Sequence, residues 1–355
     1  MVSEDVLRRQ LEYVLHGTSF DLGRKFEGKV RDNYSLDGKR IIVTTDRISA
    51  FDRVLCALPF KGQVINQTAA FWFERTRQII ENHLIDVPDP NVLVARECRL
   101  IPVEMVVRGY LTGVTTTSAW YHYSHGNRSF CGHALPQGMK KNQAFDQPII
   151  TPSTKPVQGG HDESISREEV LRRGLVEEPV YREMERAALE LFAFGTEKAA
   201  ANNLILVDTK YEFGLFEDRV MLIDEIHTPD SSRFWVKNTY QDRFERGEEP
   251  EKLDKEFVRG WLADRDFRGD GPIPPIPDEV KIEAARRYIK AYEMITARTF
   301  EARNEDVLQR IAHRLRNPNW QTTEYAWNGC HRPKSPAGFG TRTGRPLSYA
   351  PVKPS

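Results

Sequence analysis

The sequence lacks the features that mark several large classes of protein. Its 355 residues include four cysteines and no CxxC pair, a set that favours neither a disulfide framework nor a structural zinc site. The N-terminal segment has no apolar signal-peptide core, and no run approaches the ~20 apolar residues of a membrane span. We therefore expect a soluble, cytoplasmic protein with reduced thiols and no membrane contact.

An excess of charge of one sign is also missing. Lys+Arg and Asp+Glu both number 51, so no net field favours nucleic acid or an anionic membrane. The sequence contains no Walker A, GxGxxG, HExxH or GxSxG pattern. These absences argue against P-loop kinases, dinucleotide oxidoreductases, zinc proteases and α/β-hydrolases.

The patterns that are present predict an α+β protein with two subdomains and a tail. Residues 1–110 contain short, alternating or β-branched segments between Gly and Asp, which predict a mostly antiparallel β-rich subdomain. Residues 111–303 predict an α+β subdomain with long amphipathic helices at about 179–201 and 278–299. Residues 304–355 are basic and rich in Pro and Gly, so we expect a disordered or loosely docked tail.

The strongest chemical signal lies in residues 204–226, LILVDTKYEFGLFEDRVMLIDEI, whose two apolar runs and polar turn predict a β-hairpin. The period of two in a strand places Asp208, Lys210 and Glu212 on one face. Antiparallel pairing would bring Asp224 near Lys210 or Glu212. Such charges are often only paired across strands, but here both strands run from apolar core into acids. Two carboxylates with nucleotide phosphates suit Mg²⁺, and the lysine suits a transferring phosphoryl group.

Other segments offer charged groups for anions, each with a structural alternative. In GKVRDNY, Lys29 and Arg31 share a strand face that suits phosphates, although this segment by itself favours a solvated face. In IPVEMVVRGY, Glu104 and Arg108 share a face and could form only an ion pair. In TPDSSRFW, Arg233 follows hydroxyl residues and could hold a phosphate or carboxylate through two hydrogen bonds, or the turn could cap a helix.

Seven segments in one order resemble the SAICAR synthetase family. They are GKVRDNY, TTDRISAFD, IPVEMVVRGYLTG, ITPSTK, GGHDE, LILVDTKYEFG and IDEIHTPDSSRFW, and the resemblance covers about residues 24–300. The resemblance implies a β-rich nucleotide-binding subdomain and a larger α+β subdomain, related to ATP-grasp and kinase-like folds. It also implies a ligase that condenses 5-amino-1-(5-phosphoribosyl)imidazole-4-carboxylate with L-aspartate, giving SAICAR, ADP and phosphate in purine biosynthesis.

The resemblance implies ATP and Mg²⁺ as cofactors, small molecules as partners without nucleic acid, and a monomer or homo-oligomer. Lys210 and Asp208 are the implied catalytic residues, with Glu212 and Asp224 as metal ligands. The implied ATP-binding residues are Lys29, Arg31, Arg99, Leu100 and Glu104. The implied substrate-binding residues are Arg108, Ser118, Lys155, His161, Asp162, Asp230, Ser232 and Arg233, with Asp46, Arg47 and Ser49 as candidates for aspartate. Because VTTT follows Gly113, where many relatives have serine, Thr115 is an alternative to Ser118.

Two other function classes make different demands on the sequence. A kinase-like phosphotransferase acting on a hydroxyl should show HRD and DFG motifs, and neither is present. A nucleotide-sensing module with a degenerate site should lack at least one residue among Lys29, Lys210, Glu212 and Asp224, and all four are present. A ligase fits better, because a carboxylate must first be phosphorylated to an acyl phosphate before an amine can displace phosphate from it.

Overall fold

The structure is a computed structural model that describes residues 2–51, 53–154, 162–253 and 256–316. Its helices are α1 (Glu4–Gln10), α2 (Lys61–Arg75), α3 (Ala119–Ser124), α4 (Arg167–Arg172), α5 (Glu178–Ala201), α6 (Lys237–Glu245), α7 (Glu256–Ala263), α8 (Asp278–Thr296) and α9 (Val307–Arg316). Its strands are β1 (Arg24–Glu27), β2 (Arg31–Leu36), β3 (Lys39–Thr44), β4 (Arg47–Ala50), β5 (Arg53–Ala57), β6 (Leu84–Asp89), β7 (Val92–Arg96), β8 (Arg99–Leu111), β9 (Ser129–Phe130), β10 (His133–Ala134), β11 (Gln143–Thr154), β12 (Glu163–Ser164), β13 (Leu204–Phe216), β14 (Arg219–Ile223) and β15 (Ser232–Val236). The mixture confirms the predicted α+β class. Among the residues described, no helix has both the length and the apolar character needed to cross a membrane.

An N-terminal antiparallel sheet has the strand order β1-β2-β3-β7-β6. Alternation in β3 places Ile41 and Ile42 on opposite faces, and both are buried. Ile42 joins the core that contains Trp72 of α2. Ile41 packs in a separate cluster with Ile311 of α9. Helices therefore cover both faces of this sheet.

The residues that cover the second face come from the segment where the sequence predicts a tail. Residues 307–316 form α9, in which Val307, Ile311 and Leu315 are buried at helical spacing. The Arg310 guanidinium holds this helix to Asp89 with Nε–Oδ2 and Nη2–Oδ1 distances of 2.9 and 3.1 Å. This part of the predicted tail is thus an ordered element packed on the sheet, because its apolar stripe meets an apolar sheet face.

The second large sheet carries the predicted hairpin. Its order is β12-β11-β8-β13-β14, and β15 also pairs with β13. The N-terminal half of β13 pairs with β15 and its C-terminal half with β14, so the change of partner falls near Lys210. The connection between β14 and β15 therefore emerges beside the middle of β13. Helix α5, close to its predicted bounds, packs against β13 and covers the apolar face of the sheet.

Candidate active site

The polar face of β13 has the side-chain order that alternation predicts. Asp208 lies opposite Arg108 of β8, and Glu212 lies opposite Glu104. Lys210, between them, donates from Nζ to Glu104 Oε1 at 3.0 Å and to Glu212 Oε1 at 3.1 Å. Glu104 and Arg108 each have an oppositely charged partner on β13, Lys210 for Glu104 and Asp208 for Arg108.

Asp224 approaches this face from the end of β14. Its backbone has a φ of +65°, a conformation that costs energy in a residue other than glycine and that often accompanies function. The Asp224 Oδ1 atom accepts from Arg31 Nη1 at 2.8 Å. Desolvation raises the pKa of Asp224 to about 6, and the charge of Glu212 contributes to this rise against the effect of Arg31. Ile223 pairs with Glu212, so Asp224 follows directly at the end of β14 beside this face, as predicted.

The next residue, Glu225, completes a group that we call the acidic cluster. Glu225 Oε2 accepts from Arg31 Nη2 at 2.8 Å and also from the hydroxyl of Thr228. Desolvation lowers the pKa of Lys210, but the carboxylates of Glu212 and Glu104 outweigh it and raise the pKa well above its usual value. The members of the acidic cluster are Arg31, Glu104, Lys210, Glu212, Asp224 and Glu225.

The acidic cluster has a formal charge of −2, since four carboxylates face two cations. That charge and the all-oxygen donor set fit one hard divalent cation. Within the described residues, no group of three or more acid, histidine or cysteine side chains converges as a complete metal site. A cation held by Glu212 and Asp224 would therefore need further oxygen ligands, such as phosphates and water, as Mg²⁺ commonly does.

A second group, which we call the basic cluster, lies at the other end of the same face. It consists of Asp208, Arg108 and Arg233 and has a formal charge of +1. Arg233 Nη1 donates to Asp208 Oδ2 at 2.8 Å, and Arg108 Nη1 lies 3.7 Å from the same oxygen. Burial lowers the pKa of Arg108, although the charge of Asp208 opposes this shift. One acid between two arginines leaves a site suited to an anion.

The loop after β8 closes on the basic cluster. Gly113 has a φ of +90°, and a Cβ atom there would lie 2.5 Å from Ser118 Oγ and 3.1 Å from Arg233 Nη1. Only glycine allows this approach. Ser118 precedes α3 without capping it, and its hydroxyl lies 2.7 Å from Thr115 Oγ1. Both candidate hydroxyls therefore lie near the arginine, with Ser118 buried and Thr115 exposed.

Asp230 belongs to a contact that sequence reasoning missed. Its carboxylate accepts from Lys61 Nζ at 2.6 Å and from the Tyr288 hydroxyl at 2.7 Å. The Lys61 side chain is fully buried at the first turn of α2. The contact joins three segments far apart in the chain, and no local pattern around Lys61 or Tyr288 indicates it.

The residues expected to recognise aspartate have other partners. The Arg47 guanidinium donates to the backbone carbonyls of Gly28 and Lys29 at 2.8 and 3.0 Å, and to Asp32. Asp46 accepts from two backbone N–H groups at 2.8 Å, and burial raises its pKa to about 6. Ser49 is half-buried on β4. These contacts favour a positioning role for Arg47 and Asp46, because their polar atoms are already engaged.

Ser232, expected among the substrate-binding residues, lies on the other face of the sheet. It pairs in register with Thr209, and its hydroxyl donates to Thr209 Oγ1 at 2.7 Å. Its neighbour Arg233 pairs with Asp208 and lies on the polar face. Adjacent strand residues point to opposite faces, so the Ser232 side chain lies away from Asp208, and its role in substrate binding stays a prediction.

The remaining expected residues either are exposed or lie outside the described residues. Lys29 and Arg99 are exposed, and Leu100 at the start of β8 is 46% exposed, unusually high for a large apolar side chain. Asp162 is exposed just before β12. Lys155 and His161 lie outside the described residues.

A buried pair on the opposite face supports the middle of β13. Tyr211, between Lys210 and Glu212 in sequence, has its hydroxyl 2.6 Å from His227 Nε2. His227 is fully buried, its ring stands edge-on to Trp72, and burial lowers its pKa to about 3. The imidazole is therefore neutral and joins β13 to the segment that carries Asp224.

Comparisons with known proteins point to one family. A family profile described as SAICAR synthetase matches residues 24–272. A phosphoribosylaminoimidazole-succinocarboxamide synthase of Legionella pneumophila (strain Lens) is 49% identical over 311 residues, covering 86% of this chain and 99% of the relative. A solved SAICAR synthase from Saccharomyces cerevisiae, complexed with SAICAR, has a TM-score of 0.71 and 33% identity, covering 81% of this chain and 99% of its own. A SAICAR synthetase (Type-2) in complex with ADP, 24% identical with a TM-score of 0.59 over 78% of this chain and 100% of its own, shares the fold.

Proposed function

Because the chain belongs to the SAICAR synthetase family, we propose that its two clusters hold the reactants of an ATP-dependent ligation on one face of β13. The chain is a carbon–nitrogen ligase of purine biosynthesis. It condenses 5-amino-1-(5-phosphoribosyl)imidazole-4-carboxylate with L-aspartate, using ATP and giving SAICAR, ADP and phosphate. The kinase-like alternative has no support in the comparisons.

The opposite charges of the acidic and basic clusters support the assignment of one reactant to each end of this face. The acidic cluster attracts a cation and, through it, the phosphates of ATP, whereas the basic cluster attracts an anionic ribonucleotide. Both lie on the same strand face, with Asp208 and Glu212 separated by about 13 Å for four residues of extended chain. A nucleotide at one end and an imidazole carboxylate at the other can thus meet near Lys210.

At the acidic end, we assign nucleotide binding to Lys29, Arg31, Arg99, Leu100 and Glu104. Exposed cations suit the phosphates, and the exposed apolar surface of Leu100 suits the adenine ring. Glu212 and Asp224 are the proposed ligands of Mg²⁺, which when bound would supply neutralisation of the phosphate charge. Lys210, the member of the acidic cluster on β13 that is nearer in sequence to Asp208, would bind the phosphoryl group that is transferred.

At the basic end, Arg108, Arg233 and Ser118 would hold the phosphate or carboxylate of the ribonucleotide. Asp208, held between the two arginines, would orient the imidazole or its amino group. The ribonucleotide carboxylate attacks the γ-phosphorus of ATP, ADP leaves, and an acyl phosphate results. The amine of L-aspartate then attacks the acyl carbon, a proton is lost from nitrogen, and phosphate leaves.

Residues at the margin of the site have supporting roles in this proposal. Lys155, His161 and Asp162 belong to the segment between β11 and β12, and we assign to them closure over the reactants. Asp230 is assigned to substrate binding through its contact with Lys61. Ser49 is the remaining candidate for contact with aspartate, and Arg47 acts by ordering the carbonyls around Lys29. The proposed location is the cytoplasm.

The decisive experiment is a reconstitution with purified protein. ADP release should require ATP, Mg²⁺, the carboxylated ribonucleotide and L-aspartate together, and SAICAR should form in equal amount. ADP release that ignores aspartate would overturn the ligase assignment in favour of a phosphotransferase or ATPase. If the rate does not fall when Mg²⁺ is omitted, the metal assignment is overturned, and the ligase assignment is not affected.

A further inference from the structure

Arg31 connects the nucleotide-binding side of the molecule with the acids after β14. Its Nη1 and Nη2 atoms each lie 2.8 Å from a different carboxylate, Asp224 Oδ1 and Glu225 Oε2. The side chain is only 12% exposed. Desolvation opposes its charge, but Asp224 and Glu225 outweigh this effect and raise its pKa, so the guanidinium stays cationic. The contact is therefore a half-buried ion pair with two hydrogen bonds to charged oxygens.

This contact conflicts with the two roles that the site gives to its members. Asp224 is assigned to a divalent cation, and a carboxylate oxygen that accepts from a guanidinium at 2.8 Å has much of its charge neutralised already. Arg31 is assigned to nucleotide phosphates, and an N–H group donated to Asp224 is not available to a phosphate. The other three N–H groups of the guanidinium could reach a phosphate, but a phosphate bound there would compete with Asp224 and Glu225 for the same positive charge.

We propose that Arg31 competes with the divalent cation for Asp224, and that nucleotide phosphates relieve this competition by drawing the guanidinium away from the carboxylate. The inference rests on the proposed function, because it uses the metal and nucleotide assignments made there. Its consequence is that metal and nucleotide each strengthen the binding of the other. The competition thus weakens metal binding when no ATP is bound.

Lys210 is the natural comparison, and its geometry differs. It also lies between two carboxylates, but its side chain is 36% exposed and a single ammonium contacts both acids. A flexible ammonium can turn toward a phosphate without leaving the cluster, whereas the planar fork of Arg31 fits its two acids in one orientation. The competition is therefore assigned to Arg31.

The test measures binding of Mn²⁺ alone, by electron paramagnetic resonance at pH 8, to the full chain and to Arg31→Met. Removal of the competing charge should tighten Mn²⁺ binding by about tenfold or more. ADP should raise the Mn²⁺ affinity of the unaltered chain, and this rise should be smaller in the variant. Arg40→Met is the matched control, since Arg40 lies on the neighbouring strand β3 and pairs with Glu97, outside both clusters; it should leave both affinities unchanged.

The outcomes separate this inference from the proposed function. If the unaltered chain binds Mn²⁺ and Arg31→Met binds it equally or more weakly, the proposed competition is overturned. The assignment of the metal site is not affected by that result. No Mn²⁺ binding by the unaltered chain, with or without ADP, overturns the metal assignment and this inference together. If Arg31→Met does not fold, Arg31→Lys replaces it, and a smaller tightening is expected because one ammonium cannot reproduce the two-pronged contact; no tightening there overturns the proposal.

Discussion

The two ends of the polar face of β13 differ in charge although one strand carries both. The acidic cluster around Glu212 has a formal charge of −2, and the basic cluster around Asp208 has +1. The neighbouring strand β8 makes part of this difference, since it places Glu104 at one end and Arg108 at the other. The sign of each end is thus decided by cross-strand partners, and an acid-base-acid strand alone does not specify it.

The largest expected effect comes from breaking the acidic end. Glu212→Gln keeps the size of the side chain and removes its charge, so ligation should fall by about 10³-fold. Mn²⁺-dependent ADP binding should weaken, while binding of the ribonucleotide should change little. Steady-state rates and calorimetry measure these quantities. Glu217→Gln, in the exposed turn of the same hairpin, is the control, and unchanged turnover in Glu212→Gln would remove this residue from the metal site.

A substitution in the basic cluster should weaken use of the ribonucleotide and leave nucleotide binding unchanged. Arg233→Met removes a charge-assisted contact worth about 2–3 kcal/mol, which corresponds to about 10²-fold in kcat/KM for the ribonucleotide. The affinity for ADP should stay the same, because the nucleotide is assigned to the other cluster. Arg219→Met on β14, where the arginine is exposed, serves as the control. Equal losses for both ligands in Arg233→Met would show that the two ends are not separate sites.

A third test concerns Tyr211 and His227, the buried pair on the opposite face of β13. The pKa of His227 falls from an ordinary 6.5 to about 3 in the folded state, so the unfolded chain binds more protons as pH falls from 6.5 toward 3. Stability is therefore complete above pH 6.5 and is lost below it, by about 2 kcal/mol at pH 5. Urea unfolding measures the free energy of unfolding at each pH. Between pH 7 and pH 5 the unaltered chain should lose about 2 kcal/mol more of it than His227→Gln does. Parallel pH profiles for the two proteins would contradict it.

The smallest expected effect distinguishes two hydroxyls at the basic end. Ser118→Ala should raise KM for the ribonucleotide about fivefold, the value of one neutral hydrogen bond, because Ser118 is buried beside Arg233. Thr115→Val should leave KM within about twofold, since Thr115 is exposed. The reverse order would assign the loop hydroxyl to Thr115.

Much of the fold and part of the site follow from local patterns. The hairpin, α5 and α8 have periodicities that a single segment displays, and their existence is confirmed. The common face of Asp208 and Glu212 follows from the geometry of a strand. Helix α9 was missed because ten residues with an apolar stripe adjoin a long Pro- and Gly-rich stretch, and the composition of the whole masked the short helix.

The sequence by itself determined the family, the ligase activity and the order of charges along β13, because ordered motifs and strand alternation are local information. The tertiary structure alone decided that Arg31 meets Asp224, that Lys61 meets Asp230, and that Arg47 serves the backbone near Lys29. It also put Ser232 on the far face. Such contacts join segments separated by up to 193 residues. They depend on the register of the sheets and on the change in the partner of β13, from β15 to β14, near Lys210. That information is distributed over the whole chain, so no single motif contains it.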